Sequence, residues 1–280
     1  MCLVAKPRGP TSHDVVDIVR RALDQKRVGH LGTLDPFAEG LLVVVVGRAT
    51  RLAPYAAGWK KSYDGVIRVG SVTTTDDLTG DVTATSEAWR ELDLEQIRAA
   101  SRGLLGEIEQ MPPAYSAVKV DGVRAYKKAR RGEAVTVGPR HVTVFELAVT
   151  GWSAPDVTFR ATVSGGTYIR SLARDLGERL GSGGHLAELR RTAVGPFRLE
   201  DAVPAQAISP AHVRDPSLLV ADLPSRALAG GERDAIVHGR PLAAAASEHG
   251  TIALMADGAL LAVAEVVDGS IKPRLVLADA

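Results

Sequence analysis

The feature of the chain most suited to chemistry is a carboxylate set among glycines and a proline. In Gly29-His30-Leu31-Gly32-Thr33-Leu34-Asp35-Pro36-Phe37-Ala38-Glu39-Gly40, three glycines allow positive φ or close backbone approach, and Pro36 biases Asp35 toward an extended conformation. The loop is shaped to hold one side chain. Taken alone, Leu-Asp-Pro also fits a plain turn in which Asp35 closes an Asx-turn or accepts a hydrogen bond from Thr33. Two other groups invite chemical readings. Arg170 follows Gly165-Gly166-Thr167 in the first turn of an expected helix, where the helix dipole disfavours a cation, so a nearby anion would explain it; the plainer reading is an arginine reaching solvent or phosphate. Tyr63 opens an alternating strand beside Lys60 and Lys61, where it can face a site or simply pack on the sheet with its hydroxyl in water.

The elements that must position these groups are visible in the periodicity. Residues 2–5 read as a short strand, 6–10 as a Pro/Gly turn, and Thr11-Ser12 as the cap of a helix carrying Val15, Ile18, Val19, Ala22 and Leu23. That helix delivers the chain to the Asp35 loop, which enters Leu41-Leu42-Val43-Val44-Val45-Val46, a run suited to a strand buried on both faces. Tyr63, Gly65, Ile67 and Val69 alternate with polar residues as a half-buried strand, and Asp76-Asp77 with Gly80-Asp81 reads as a solvated turn. Asp93 caps a helix expected to run through Leu105 and to stop before Pro112-Pro113. Residues 142–150 and 157–164 alternate as paired strands, the Arg170 helix reaches Leu180, and His185 to Arg191 reads as a further short helix. Alanine-rich, proline-dotted residues 202–224 read as a linker, followed by short strands near 238–242, 258–264 and 271–274.

The chain has 280 residues, enough for one large domain or a large and a small one. Its balance of 45% hydrophobic and 24% charged residues is that of a soluble globular protein, and no apolar run approaches the roughly 20 residues of a membrane helix. Lys6 and Arg8 precede any long apolar region, so no secretory signal is expected and the cytoplasm is the expected compartment. Cys2 is the only cysteine, and no His/Cys cluster has zinc spacing, so neither a disulfide nor a metal is expected. Net charge is only +1, but residues 111–145 carry Lys119, Arg124, Lys127, Lys128, Arg130, Arg131 and Arg140 against Asp121 and Glu133. Such a stretch can grip a polyanion or be a solvated face; within it, 123–131 reads as a short basic helix. Residues 221–280 are acidic on balance, with five basic and eight acidic residues, and this asymmetry suggests two regions with different tasks.

The Asp35 segment, as Gly-His-x-Gly-Thr-Leu-Asp-Pro-x-Ala-x-Gly-x-Leu, resembles the catalytic motif of the TruB family of tRNA pseudouridine synthases. The agreement extends in family order through Lys6-Pro7-x-Gly9-x-Thr11-Ser12, Lys61-x-Tyr63, Gly166-Thr167-Tyr168-Ile169-Arg170 and Leu189-Arg190-Arg191-Thr192. Ala5 departs from the pattern, because the family usually has Asp or Asn before this lysine. The resemblance implies an α+β fold with a mixed, mostly antiparallel sheet flanked by helices. It implies a catalytic domain over 1–215, with an RNA-binding thumb inserted near 111–135, and a β-rich PUA-like domain over 222–280.

It also assigns roles. Asp35 would act as nucleophile or as base in an elimination, Arg170 would hold it ionised, and Tyr63 would stack on the target base. His30 would take the vacated stacking position, and Lys6, Lys61, Lys127, Lys128, Arg130, Arg131, Leu189, Arg190 and Arg191 would contact RNA. The substrate implied is the T-loop uridine 55 of the tRNA T arm, flipped out of its stack, with the protein acting as a monomer. Isomerisation exchanges nothing with a redox carrier or ATP, so no cofactor is expected, in keeping with the absence of Rossmann and P-loop glycine patterns. A non-catalytic RNA-binding or chaperone protein would explain the basic stretch but leave Asp35, Tyr63 and Arg170 without a common purpose. A phosphatase of the aspartyl-phosphate type lacks its Asp-x-Asp, and a glycosidase lacks a visible second carboxyl group.

Overall fold

The structure, a computed structural model, describes residues 1–115, 119–120, 123–124 and 138–277. Its strands are β1 (Cys2–Lys6), β2 (Val28–Leu31), β3 (Glu39–Val46), β4 (Lys61–Val69), β5 (Ser71–Thr73), β6 (Val82–Thr85), β7 (Gly106–Gln110), β8 (Lys119–Val120), β9 (Val123–Arg124), β10 (Arg140–Ser153), β11 (Asp156–Val163), β12 (Gly184–Val194), β13 (Phe197–Arg198) and β14 (Val203–Pro204), then β15 (Ser225–Ala227), β16 (Leu242–Ala243), β17 (Gly250–Ala256), β18 (Ala259–Val267) and β19 (Ser270–Val276). The described α-helices are α1 (Ser12–Ala22), α2 (Ala53–Ala56), α3 (Leu94–Arg102), α4 (Ile169–Arg179) and α5 (Glu232–Val237).

Ten strands form one sheet in the order β14-β1-β3-β12-β4-β11-β10-β7, with β2 added to β3 and β13 to β12. Only β1/β14 and β3/β12 pair in parallel, so the sheet is mixed and mostly antiparallel, as expected. From Leu41 to Val46 strand β3 is apolar because both its faces are covered. Leu42 and Val44 pack with Val15 and Val19 of α1. Leu41, Val43 and Val45 pack with Leu52, Ala56, Leu219 and Val220, and with Ala253, Leu260 and Val263 of the C-terminal sheet β15-β17-β18-β19-β16. The β-rich C-terminal domain thus forms one wall around the strand that carries the Asp35 loop. Helix α1 starts where expected: Thr11 accepts from the Asp14 backbone and Asp14 answers with a bond to the Thr11 backbone, a capping box.

Four expectations need correction. Residues 185–191 are not helical but lie in β12, between β3 and β4. Two register shifts, at Leu186/Glu188 and Arg191/Ala193, insert extra residues into the strand, so Leu186 and Leu189 both reach the core three positions apart and mimic a helical repeat. The helix capped by Asp93 stops at Arg102, where Gly103 follows; Leu104 is buried beyond its end, and β7 fills the space before Pro112. Val123 and Arg124 pair with β8 as a strand, not a helix, and the rest of the expected basic helix lies outside the described residues. Residues 202–224 are no loose linker: Val203 pairs with Val4, and Ala205, Ile208, Leu219 and Val220 are buried. No helix among the described residues is long and apolar enough to cross a membrane.

Candidate active site

The Asp35 loop joins β2 to β3 and is clamped from two sides. From the N-terminal side, the buried Lys6 ammonium donates to the carbonyls of Pro7 (3.0 Å), Pro36 (3.4 Å) and Ala38 (2.6 Å). Gly9 N–H donates to Pro36 O at 2.8 Å. Ser12 Oγ, at the start of α1, donates to Leu34 O (3.0 Å) and accepts from Leu34 N–H (2.8 Å). From the sheet side, Arg191 is fully buried and donates to Leu41 O (2.8 Å) and Gly32 O (3.0 Å). Gly40 is required here: its φ is +112°, and an added Cβ would stand 2.3 Å from Arg191 O. Lys6, Gly9, Ser12 and Arg191 are therefore the framework of the loop.

Arg170, at the start of α4, meets Asp35 edge to edge. Its Nε lies 3.0 Å from Asp35 Oδ2 and its Nη2 donates to Asp35 Oδ1 at 3.2 Å, a two-pronged grip. The remaining N–H groups go to Thr75 O (3.0 Å), Tyr115 O (3.0 Å) and Asp77 Oδ2 (3.4 Å). Hydrogen bonds to Asp35, Thr75 O and Tyr115 O and ion-pair contacts to Asp35 and Asp77 surround the guanidinium, which is 7% exposed. The side chain of Asp35 keeps 34% exposure, leaving one side open to an incoming substrate. Burial raises the Asp35 carboxyl above the ordinary carboxylate range; Arg170 pulls it back down, and Asp77 pushes it up.

Asp77 corrects the expectation of a solvated loop. It is 4% exposed, and its Oδ1 accepts from Thr75 Oγ1 (2.7 Å), Thr79 N–H (2.9 Å) and Thr79 Oγ1 (2.5 Å) while Oδ2 faces Arg170. The available signal was Thr73-Thr74-Thr75 and Thr79 flanking the two aspartates, a supply of hydroxyls that a buried carboxylate needs and a solvated one does not. Sequence reasoning missed this residue.

The other expected site residues divide sharply. Tyr63 is buried on β4 in the apolar cluster that also includes Leu34, Ala38 and Leu189. His30 lies on β2; its Nδ1 is buried with no hydrogen-bond partner among the described residues, and burial lowers its pKa. Arg190 is exposed and stands 3.8 Å from Glu39. Lys6, Lys61 and Arg191, expected to touch RNA, are buried at 1%, 8% and 0% exposure, and their donors go to backbone carbonyls. Lys127, Lys128, Arg130 and Arg131 lie outside the described residues. Two surface cavities, of 280 and 420 Å³, open beside β4; Asp35 lines neither, and the larger reaches Glu39, Leu189 and Arg190.

Burial pulls Lys61 down to about 8, with Arg191 adding to the effect. The unfolded chain holds this proton up to its ordinary value near 10.5, so between pH 8 and 10.5 stability rises with pH as the folded state escapes the cost of a buried ammonium. Lys61→Met is expected to stabilise the fold by roughly 2–3 kcal/mol at pH 7 and by little at pH 10. Urea unfolding at the two pH values checks this; an equal effect at both would contradict it.

Residues 20–169 match the family model of TruB family pseudouridylate synthase, N-terminal domain, and residues 170–220 match that of the tRNA pseudouridylate synthase B C-terminal domain. The chain is 47% identical to a tRNA pseudouridine synthase B of Thermobifida fusca over 99% of this chain and 97% of the relative. The chain belongs to the TruB family of pseudouridylate synthases. A second relative, the tRNA pseudouridine synthase B of Corynebacterium efficiens, is 51% identical over 73% of this chain and 70% of its own length. Among solved structures, a Cbf5-Nop10-Gar1 complex contains a chain similar over the whole of this one and 83% of its own length, with TM-score 0.72 and 28% identity. An H/ACA RNP bound to a substrate RNA containing 2'-deoxyuridine shares the fold, with TM-score 0.73 and 24% identity over 99% of this chain and 84% of that one. In this TruB family chain the Asp35 loop and its Arg170 partner fall in different family-model matches, 20–169 and 170–220.

Proposed function

We infer that this chain isomerises uridine to pseudouridine in tRNA, at the T-loop position 55, with Asp35 as the reacting carboxylate. The observation that carries the reading is the two-pronged hold of Arg170 on Asp35 at 3.0 and 3.2 Å, on a loop that leaves the opposite side of the carboxylate accessible. The reaction breaks the N-glycosidic bond, turns the base and rejoins it through carbon. A carboxylate can serve it by attacking the sugar or base, or by removing a proton from the ribose. Arg170 keeps that carboxylate ionised and aimed, and Tyr63 offers an aromatic face to the base beside it. Flipping the uridine costs a few kcal/mol of stacking, to be offset by contacts of the protein with the opened RNA loop, in which His30 fills the vacated position.

Residues 1–215 form the catalytic domain, 222–280 a PUA-like domain, and the basic residues near 111–135 a thumb on the RNA. The enzyme works as a monomer on the T arm, in the cytoplasm where tRNA is processed. A transcript carrying cytidine at position 55 should yield no pseudouridine, while the uridine transcript should be converted; modification spread over other uridines would overturn the T-loop assignment.

Neutralising Lys127, Lys128, Arg130 and Arg131 together is expected to weaken tRNA binding and to flatten its salt dependence by up to about 0.9 per lost phosphate contact, or about 0.7 on single-stranded RNA. Base identity at the site should not change. Binding measured across a salt series tests this, and an unchanged slope would mark the four as a solvated face.

A further inference from the structure

Arg174 stands one helical turn after Arg170 on α4, so the two guanidinium groups leave the same face of the helix. Arg170 is absorbed by Asp35, whereas Arg174 has no part in the chemistry described so far. It is nonetheless only 19% exposed and heavily bonded: Nη1 lies 3.1 Å from Asp76 Oδ2, Nη2 is 2.8 Å from Asp175 Oδ1, and Nη2 also donates to Met111 O at 2.9 Å. Glu178 stands at the rim, 3.9 Å from Nε.

The partner that matters is Asp76. It is 14% exposed, and its φ is +58°, the left-handed region that non-glycine residues rarely adopt. This residue turns the chain between two groups that both contact Arg170, the carbonyl of Thr75 and the carboxylate of Asp77. Backbone bonds from Leu186 N–H to Asp76 O and from Leu78 N–H to Leu186 O, each 3.0 Å, dock the turn on β12. Its side chain, among the described residues, is held by Arg174. Burial raises the Asp76 carboxyl, and Arg174 is the largest influence bringing it back down.

We propose that Arg174 is a positioning residue of the synthase site: by pairing with Asp76 it holds the left-handed turn that presents Asp77 to Arg170, and so fixes the guanidinium that grips Asp35. The proposal rests on the reading of Asp35 as the reacting carboxylate. Removing the Arg174 charge leaves a buried carboxylate at 76 without its ion-pair partner, and the turn swings outward to hydrate it. That movement loosens Asp77, and with it one arm of Arg170. The charged groups facing Asp35 are Arg170, Asp77 and Lys6; those facing Asp76 are Arg174, Arg170 and Asp175. A loosened Arg170 pulls the Asp35 carboxyl down less, so protonation of Asp35 moves to higher pH.

The test combines single-turnover conversion of a tRNA transcript, tRNA affinity, and a 13C titration of the Asp35 carboxyl in the free protein. Arg174→Ala is expected to slow conversion by about tenfold to a hundredfold, leave tRNA affinity within about threefold, and move the Asp35 midpoint upward. Adding Asp76→Asn should recover the larger part of the rate and return the midpoint, because an amide needs no counter-charge. Arg174→Lys should recover part of both, and it carries the comparison if the alanine variant does not fold. An unchanged rate and midpoint in Arg174→Ala, a rate loss that tracks lost affinity, or a double variant no better than the single one would each overturn the proposal. The titration needs no catalysis, so it still reports on the Arg174 linkage should Asp35 prove not to be the reacting group.

Discussion

Asp35→Asn is expected to reduce pseudouridine formation by roughly 10³-fold or more while leaving tRNA affinity within a few-fold. An amide of the same size keeps one oxygen for the Arg170 fork, so the loop, clamped by Lys6, Ser12 and Arg191 through backbone atoms, stays in place. What disappears is the anionic oxygen, and with it nucleophilic or general-base action, which alone is commonly worth about 10²–10⁴-fold. Affinity should hold or improve slightly, since a negative charge has been removed from a surface that receives a polyanion. Single-turnover conversion and equilibrium binding on the same transcript decide the matter. Comparable turnover by wild type and variant would remove Asp35 from the chemistry.

Arg170→Lys should be nearly as damaging despite conserving the charge. The guanidinium lies against both oxygens of Asp35 and also reaches Thr75 O, Asp77 and Tyr115 O. An ammonium has three donors and no fixed plane, so it can keep at best part of this set and cannot hold both carboxylate oxygens edge-on. A loss of about a hundredfold in the single-turnover rate is expected, the scale of a small misplacement of a reacting group. The pH profile separates charge from geometry. With Asp35 as the reacting carboxylate, its pKa raised by burial, the acid limb should lie above the ordinary carboxylate range. Arg170→Ala removes the group that pulls this pKa down and should move the limb further up, whereas Arg170→Lys should slow the reaction with a smaller displacement. Combined with Asp35→Asn, the loss from Arg170→Ala should be far from additive, because the two groups act as one unit. An Arg170→Lys enzyme at wild-type rate would contradict this account.

What the sequence reveals about this site follows from how local each constraint is. The Asp35 loop is legible because Gly32, Pro36 and Gly40 impose their conformations through neighbouring atoms. The helix of Arg170 is legible through its apolar repeat, and the unfavourable place of its charge already asks for an anion. Asp77 is hidden, since a pair of aspartates beside threonines looks like solvent until helix α4 arrives from 93 positions away to bury it. The β12 bulges defeat periodicity outright: an inserted residue changes a spacing of two into three, and the resulting pattern is that of a helix. Lys6 and Arg191 illustrate a further limit. Their charge suggests phosphate, but burial has turned them inward to hold the carbonyls of the Asp35 loop. Nothing within a few residues of either position announces that burial; it comes from the closing of a ten-stranded sheet around them.

The most direct test of the account is to incubate purified protein with an unmodified tRNA transcript and map pseudouridine by mass spectrometry, for wild type and for Asp35→Asn side by side. Pseudouridine is expected at the T-loop position 55 with the wild-type chain and none above background with the variant. No pseudouridine from the wild type, or equal amounts from both, would contradict it.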